Sequence, residues 1–540
     1  MDKYKKFMYI GIFILLISLV SSAGTYAWFT WISPSNTSVT LSIGNLADVT
    51  FTSGPDINIS NLAPVYNYTD GVSTTFTVRN TNSTDSLLYK VKLEITSIAN
   101  ELKDETFKYT LVKDNKVVKT GNLKDAINGN TLILNTSSLD KGSTSSPKIS
   151  TFKLYFWLDG NMENNSNMMN KSLVGKIDVG IETNVITNTE SNISPTSKFL
   201  NTEVPRQNIT TLKVVDNLDI PEGATVVDVS KNSDNTIKMW YNEADANGNY
   251  DITIGSNNTI YANPSSTSGL FSNLTNVTSI DLSNMDTSGM TNMSNMFSDN
   301  TSLTNITFGD NFNTANVTNM SGMFKNCTIL KTIDLSSFNT SNAIIFASMF
   351  MNCQGLQNLD LKSFNTSNVT SMLSMFYNCS SLTSLDLSSF NTSNVERMET
   401  MFYNCSSLTS LDLSNFDTSK ITDMTYMFNR CKSLTSINLS SFDTSNVSSL
   451  YDAFAGLTSL KVLDLSSFDT SKVTNMGRMF LNSNNLVTIY VSDLWNISNV
   501  TAASRMFEGC TSLKGAVPYD SSKTDASMAN YTNGYLTKKL

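Results

Sequence analysis

The 540-residue chain contains no histidine. That excludes His-assisted serine or cysteine catalysis, His ligation of metals and switching by imidazole titration. Charge is scarce too: Asp, Glu, Lys and Arg make up 15% of residues, with a net charge of −9. Phosphate neutralisation needs clustered Lys and Arg, and no basic block is present, so no nucleic-acid partner is expected. Cysteine is absent before Cys327, which leaves no site for a lipid-modified cysteine behind a leader. No C-x-x-C pair exists to bind zinc. Hydrophobic residues still make up 40% of the chain, enough for a core, so the surface must be mainly Ser, Thr and Asn. The length predicts several modules.

The N-terminus has the order of a secretory signal: Lys3, Lys5 and Lys6, an apolar run from Phe7 to Val20, then Ser21, Ser22, Ala23 and Gly24. Residues 1–27 are expected to be a signal peptide cleaved after Ala27. An uncleaved anchor is the alternative, although the run is short of the roughly 20 residues a span needs. The protein is thus expected to be secreted or held at the cell surface. The C-terminus, Gly534 to Leu540, shows neither a hydrophobic tail nor a sorting motif, which leaves release or attachment through another molecule.

Residues 28–195 read as strands. Phe152, Leu154, Phe156 and Leu158 alternate onto one face, as do Phe76 and Val78, Val91, Leu93 and Ile95, and Ile177, Val179 and Ile181. Seven or eight such runs between Asn/Gly/Ser/Asp clusters predict a β-sandwich. Residues 196–265 predict a β-rich cap, in which Asn247-Gly248 marks a hairpin turn between Tyr241 and Tyr250. Asp245, Asn247, Asn249 and Asp251 alternate like a calcium loop, but the glycine falls at its fourth position, not its sixth, and no closing glutamate follows at the twelfth.

From 266 to 514 the chain repeats. Phenylalanines fall at 271, 297, 324, 350, 376, 402, 428, 454, 480 and 507, at intervals of 26 with two of 27. Ten units of fixed period predict a solenoid about 50 Å long at the spacing of stacked strands. Leu382-Thr383-Ser384-Leu385-Asp386-Leu387 has leucine-rich-repeat strand spacing, with Leu385 and Leu387 inward and Asp386 outward. Ser393 and Glu396 fit a capping box, and Val395, Met398, Met401 and Phe402 recur at helical spacing, so each unit is expected to be a strand, a turn and two turns of helix. All six cysteines share one column, Cys327, Cys353, Cys379, Cys405, Cys431 and Cys510, and equivalent side chains point in parallel, so buried free thiols are expected rather than disulfides. Residues 515–540 form a C-terminal cap or tail.

The outward strand column supplies the candidate ligand-binding residues: Asp281, Asp334, Asp360, Asp386, Asp412 and Asp464, with Tyr490 in the same column. Like charges about 4.8 Å apart repel, so such a row would favour bound cations or a partner presenting Lys and Arg. Calcium is the one cofactor this suggests. Neighbouring hydroxyls and water could equally absorb the charge. No catalytic residues are expected, because a monotonous ladder offers nothing to push two carboxyl pKa values apart. Glu396, Glu399, Arg430, Tyr490 and Trp495 vary between otherwise constrained copies and could carry specificity.

Two resemblances follow from these motifs. Ser381 to Val395 with Met401-Phe402-Tyr403-Asn404-Cys405 resembles the BspA-like leucine-rich surface repeat of mycoplasma surface proteins and gut Firmicutes, which implies adhesion. Gly24 to Thr30, Ile59 to Pro64 and Thr75 to Thr81 resemble the TasA/camelysin family of exported matrix proteins, which implies a jelly-roll-like sandwich and a fibre-forming habit. The expected fold is therefore multidomain: an N-terminal β-sandwich, a β cap and a right-handed α/β leucine-rich-repeat solenoid of about ten 26-residue units. The expected function is non-enzymatic adhesion to a host or neighbouring-cell macromolecule, protein or glycan. The alternative is a matrix fibre self-assembled through the sandwich.

Overall fold

A computed structural model describes residues 38–539, apart from 44–45, 53–56, 60–63, 81–86, 126–130, 140–141, 144, 161–167, 169–170, 182–184, 187–192, 231–234, 243–244 and 263–267. The signal segment, the Gly24–Thr30 motif and residues 60–63 lie outside the described residues. The chain divides into two compact units, residues 1–85 with 89–181, and residues 86–88 with 182–540.

The first unit is built from β1 (Ser38–Ile43), β2 (Leu46–Thr52), β3 (Ile57–Ile59), β4 (Pro64–Val65), β5 (Val72–Asn80), β6 (Leu87–Ile98), β7 (Phe107–Lys113), β8 (Lys116–Asn122), β9 (Thr131–Leu139), β10 (Lys148–Asp159) and β11 (Leu173–Ile181). One sheet runs β1-β2-β5-β10-β7-β8 with β4 beside β10, and the other β3-β11-β6-β9. Alternation on β10 buries Phe152, Leu154, Phe156 and Leu158 to 1% exposure or less. Phe152 stacks on Phe76 at 5.1 Å and meets Tyr89 of the other sheet edge-on at 6.2 Å. The edge strand β8 is largely exposed and carries Lys116 and Lys119.

The second unit opens with β12 (Val185–Ile186), β13 (Ile209–Val215), β14 (Thr225–Asp228), β15 (Lys238–Tyr241), β16 (Tyr250–Gly255), β17 (Ile260–Ala262), β18 (Ser279–Leu282), β19 (Met285–Asp286) and β20 (Asn305–Phe308). β15 and β16 are the antiparallel hairpin, and the Asp245 carboxylate accepts from the N–H groups of Asn247 and Asn249 inside its turn. One sheet, β14-β15-β16-β13-β18-β20, carries the lead-in directly into the repeats. From there each repeat is one coil, paired in parallel with the next along two columns: Ser279 opposite Asn305 in one, and Asn292, Asn319, Ile345, Ser371 and Arg397 in succession in the other. β21 (Ser410–Asp412) pairs β22 (Ser436–Asn438), and β23 (Val462–Asp464) pairs β24 (Thr488–Val491).

The α/β solenoid expected from the spacing does not form: the structure is almost entirely β strand and turn, with no α-helix among the described residues. Around Phe402 the chain makes successive three-residue turns, Met401 N–H to Met398 C=O, Tyr403 to Thr400 and Cys405 to Phe402. The intervening N–H groups leave the coil altogether. Thr400, Phe402 and Asn404 donate to Thr425, Met427 and Asn429 of the next coil, at 3.0, 3.0 and 2.7 Å. Thr400 and Asn404 hold left-handed φ angles of 58° and 53°, which no right-handed helix contains. A run of tight turns repeats its apolar side chains at the same spacing as a helix, so periodicity could not separate the two. An isolated two-turn helix also nucleates poorly, whereas here the coil-to-coil bonds recur at each step. The capping box is absent for the same reason. The Ser393 N–H and hydroxyl both donate to Asn391 Oδ1, and the Glu396 N–H bonds to the Thr370 carbonyl one coil back.

Three ladders run through the interior. The ten phenylalanines stack continuously, with centroids 5.4–6.1 Å apart, an arrangement worth about 0.5–1.5 kcal/mol per contact beyond area burial. The cysteines are all free and buried. Each thiol donates to the phenylalanine carbonyl of the preceding coil, as from Cys405 to Phe376, and Asn300 and Ser483 make the same bond in their coils. Burial pushes Cys353, Cys431 and Cys510 up to about 12, so the thiols stay protonated and inert. In the third ladder, the buried Thr392 hydroxyl donates to the Asp417 carbonyl and accepts the Asp417 N–H, a pattern shared by Thr314, Thr340, Thr366, Thr418 and Thr470.

Both ends of the stack are closed. The fully buried Arg206 donates through Nη1 to the carbonyls of Leu270 and Ser272, the positions that in later coils accept from a preceding coil. At the far end the Phe507 N–H donates to the Thr524 carbonyl and the Gly509 N–H to the Tyr519 hydroxyl. β25 (Thr537–Lys538) pairs β24, and Tyr535 meets Phe507 edge-on at 5.3 Å.

Candidate functional site

The aspartate column is outward-facing, as its alternation requires. Each carboxylate is engaged by its own turn: Asp281, Asp334, Asp360, Asp386, Asp412 and Asp464 accept the N–H two residues on, at 2.9–3.1 Å. Hydrogen bonds from Ser336, Ser388 and Ser414 hold Asp334, Asp386 and Asp412 below the usual carboxylate range. Burial pushes Asp464 up, but Lys539 and Ser466 outweigh it. Lys362 lies 3.8 Å from Asp386, and Lys539 pairs with Asp464. Tyr490 is half-buried on β24, between Asp464 and Thr537. Among the described residues no three acids, cysteines or histidines come together in a way that could hold a metal ion. The column serves turn formation first.

A second edge of the stack differs from everything around it. In the columns two residues before and two after the stacked phenylalanines, the backbone is left-handed in every coil. The first four coils fill these columns with Gly269 and Asn273, Asn295 and Asp299, Gly322 and Asn326, and Ser348 and Asn352. Gly, Asn and Asp tolerate this conformation best. Along Asn326, Asn352, Asn378 and Asn404 the side-chain amides also bond from coil to coil, at 2.6–2.9 Å.

Later coils keep that choice at Asn378, Asn404, Asp452, Gly456, Asn482 and Gly509 but depart from it at five positions. Thr400, Tyr426, Arg430, Arg478 and Arg505 occupy the same columns with φ between 58° and 62°, a conformation that costs roughly 1–2 kcal/mol for each such residue. Tyr377 and Tyr403 stack at 4.5 Å, Tyr426 meets Tyr403 edge-on at 5.9 Å and Tyr451 meets Tyr426 at 5.5 Å. Arg430 lies 5.9 Å from the Tyr403 centroid and Arg478 5.6 Å from that of Tyr451. Arg478 also pairs at 3.0 Å with Asp452, whose side chain is fully buried. That burial raises the Asp452 pKa, and Arg478 opposes the rise. Arg397 pairs with Glu399 at 3.2 Å, and Arg505 grips Glu508 through two bonds of 2.6 and 2.8 Å. Only six arginines occur in the chain, Arg79, Arg206, Arg397, Arg430, Arg478 and Arg505, and the last four stand on this edge.

The repeats match a known family model. Residues 265–384, 356–412 and 405–521 fit the family described as Mycoplasma protein of unknown function, DUF285. The coil stack of this chain is thus similar to a mycoplasma repeat family, and its first unit lies outside the match. No curated protein matches the chain. Sequence reasoning had singled out Arg430 and Glu399 as variable, but it missed the tyrosines. The available signal was the appearance of Tyr426, Arg430, Arg478 and Arg505 in columns that elsewhere hold mainly Gly, Asn, Asp and Ser, with Tyr377, Tyr403 and Tyr451 in the columns beside them.

Proposed function

We propose that this protein is exported and acts at the cell surface as a recognition and adhesion protein, binding another macromolecule through the Tyr/Arg edge of its coil stack rather than catalysing a reaction. The observation that carries this reading is the left-handed Tyr426, Arg430, Arg478 and Arg505, where smaller residues suit the backbone better. Strained backbone positions cluster at functional sites, and Tyr and Arg are the residues most enriched among binding hot spots. The resemblance of the repeats to BspA-like surface repeats supports a surface role. Fibre assembly by edge pairing has less support, since Lys116 and Lys119 on β8 are the kind of charge that blunts a sheet edge.

The test is adhesion of beads coated with the full chain to cultured epithelial cells and to bacterial cells, counted by flow cytometry. A variant carrying Tyr403→Ser, Tyr426→Asn, Arg430→Asn and Arg505→Asn resets the edge to residue types found in the same columns elsewhere. Beads carrying this variant are expected to bind at least about tenfold fewer cells, as for loss of a hot-spot cluster. Undiminished binding by the variant, or no binding by the native chain, rejects the reading.

A further inference from the structure

Resting on that reading, we infer that the partner of the Tyr/Arg edge is a protein surface presenting acidic side chains. The edge is rich in donors. Four guanidinium groups, Arg397, Arg430, Arg478 and Arg505, and the Lys432 ammonium stand against Glu399, Asp452 and Glu508, each already paired with one arginine, and against Asp423 in the column of Arg397, whose carboxylate accepts the Thr425 N–H. Arg430 and Lys432 are exposed, and neither is held in an ion pair among the described residues. Arg430 rests against Tyr403, so its planar fork is positioned before any partner arrives, which suits two-point binding of a carboxylate.

The rings decide between a protein and a sugar. A pyranose needs an open aromatic face to pack against. Tyr403 has Tyr377 stacked on it at 4.5 Å, Tyr426 meets its neighbours edge-on, and Tyr451 carries Arg478. Rings already engaged with one another and with arginines are the arrangement of protein interfaces built on Tyr and Arg. The edge spans coils five to ten, or about 24 Å at the spacing of paired strands, a length suited to an extended acidic segment or one face of a folded domain.

The probe is a poly-L-glutamate peptide of about 20 residues, with polygalacturonate of similar charge as the competing polymer and oligolysine as the blank. Binding to the full chain is followed by calorimetry at low and physiological salt. Arg430→Asn with Lys432→Ser places residues that Asn404 and Ser406 already show to be compatible with these columns. This double variant is expected to weaken poly-glutamate binding about tenfold or more, the usual scale for close interfacial charge pairs. Lys420→Asn with Lys472→Asn, in a different turn of the coil where the neighbouring coils carry Asn394 and Asn446, is expected to change nothing. Equal losses from the two double variants would mean diffuse charge attraction and overturn the proposal. So would absence of poly-glutamate binding, or tighter, Arg430-dependent binding of polygalacturonate. If the cell-bead assay still depends on the edge, recognition stands and only the acidic-protein assignment falls.

Discussion

Thr392 is 1% exposed, and its single hydroxyl satisfies both backbone groups of Asp417 in the next coil. Thr392→Val keeps the shape and removes both bonds, leaving a buried N–H and carbonyl unmatched. The expected cost is about 1–3 kcal/mol, measured as a lower urea midpoint of the full chain with an unchanged slope. The abundance of Ser, Thr and Asn has the same origin throughout. Asp386 and Asn391 fold the chain back through side-chain turns, and Asn404 sits where φ is positive. The residues that could have passed for a solvated, low-complexity surface are the internal fastenings of the coil.

Of the elements, strand faces were legible and turns were not. Alternation identified the buried side of β10, and the L-x-x-L-x-L spacing placed Leu385 and Leu387 inside with Asp386 out. Val395, Met398, Met401 and Phe402 were rightly read as one apolar face, all of them fully buried. Their backbone was misread, because side-chain spacing carries no record of whether an N–H bonds within a coil or to the next. The Tyr/Arg edge was hidden for a related reason: its meaning depends on left-handed columns that only the coordinates reveal. The capping role of Arg206 follows from the same coil-to-coil bonding. Arg206→Met should leave the Leu270 and Ser272 carbonyls without their donor, so amides of the first coil should exchange faster with deuterium. Coils beyond the second should be unaffected, since each coil depends on its neighbours alone.

At the scale of the whole molecule, many aspartates titrate together. Hydrogen bonds from serines hold Asp334, Asp386, Asp412, Asp417 and Asp469 below their ordinary values. A folded pKa below the unfolded one contributes stability above the unfolded value, about 4, and loses it as pH falls through the folded value. Asp178 and Asp452 run the other way, since burial raises both and makes their ionised forms the costly ones, but they are two groups against five. The melting temperature should therefore fall between about pH 4 and pH 2, in the range where carboxylates protonate. An unchanged melting temperature across that range would show that these turns contribute nothing to stability.

Uniform coil-to-coil bonding also bears on how such a chain can change. Asn378 bonds to Asn352 and Asn404 to Asn378 in the same way, so a coil meets equivalent neighbours whether one repeat is lost or one is copied between them. Unequal exchange between near-identical gene segments would then shorten or lengthen the rod in steps of about 4.8 Å, and would move the Tyr/Arg edge nearer to or farther from the first coil without redesigning any joint. The length of the stack and the make-up of that edge can then vary separately.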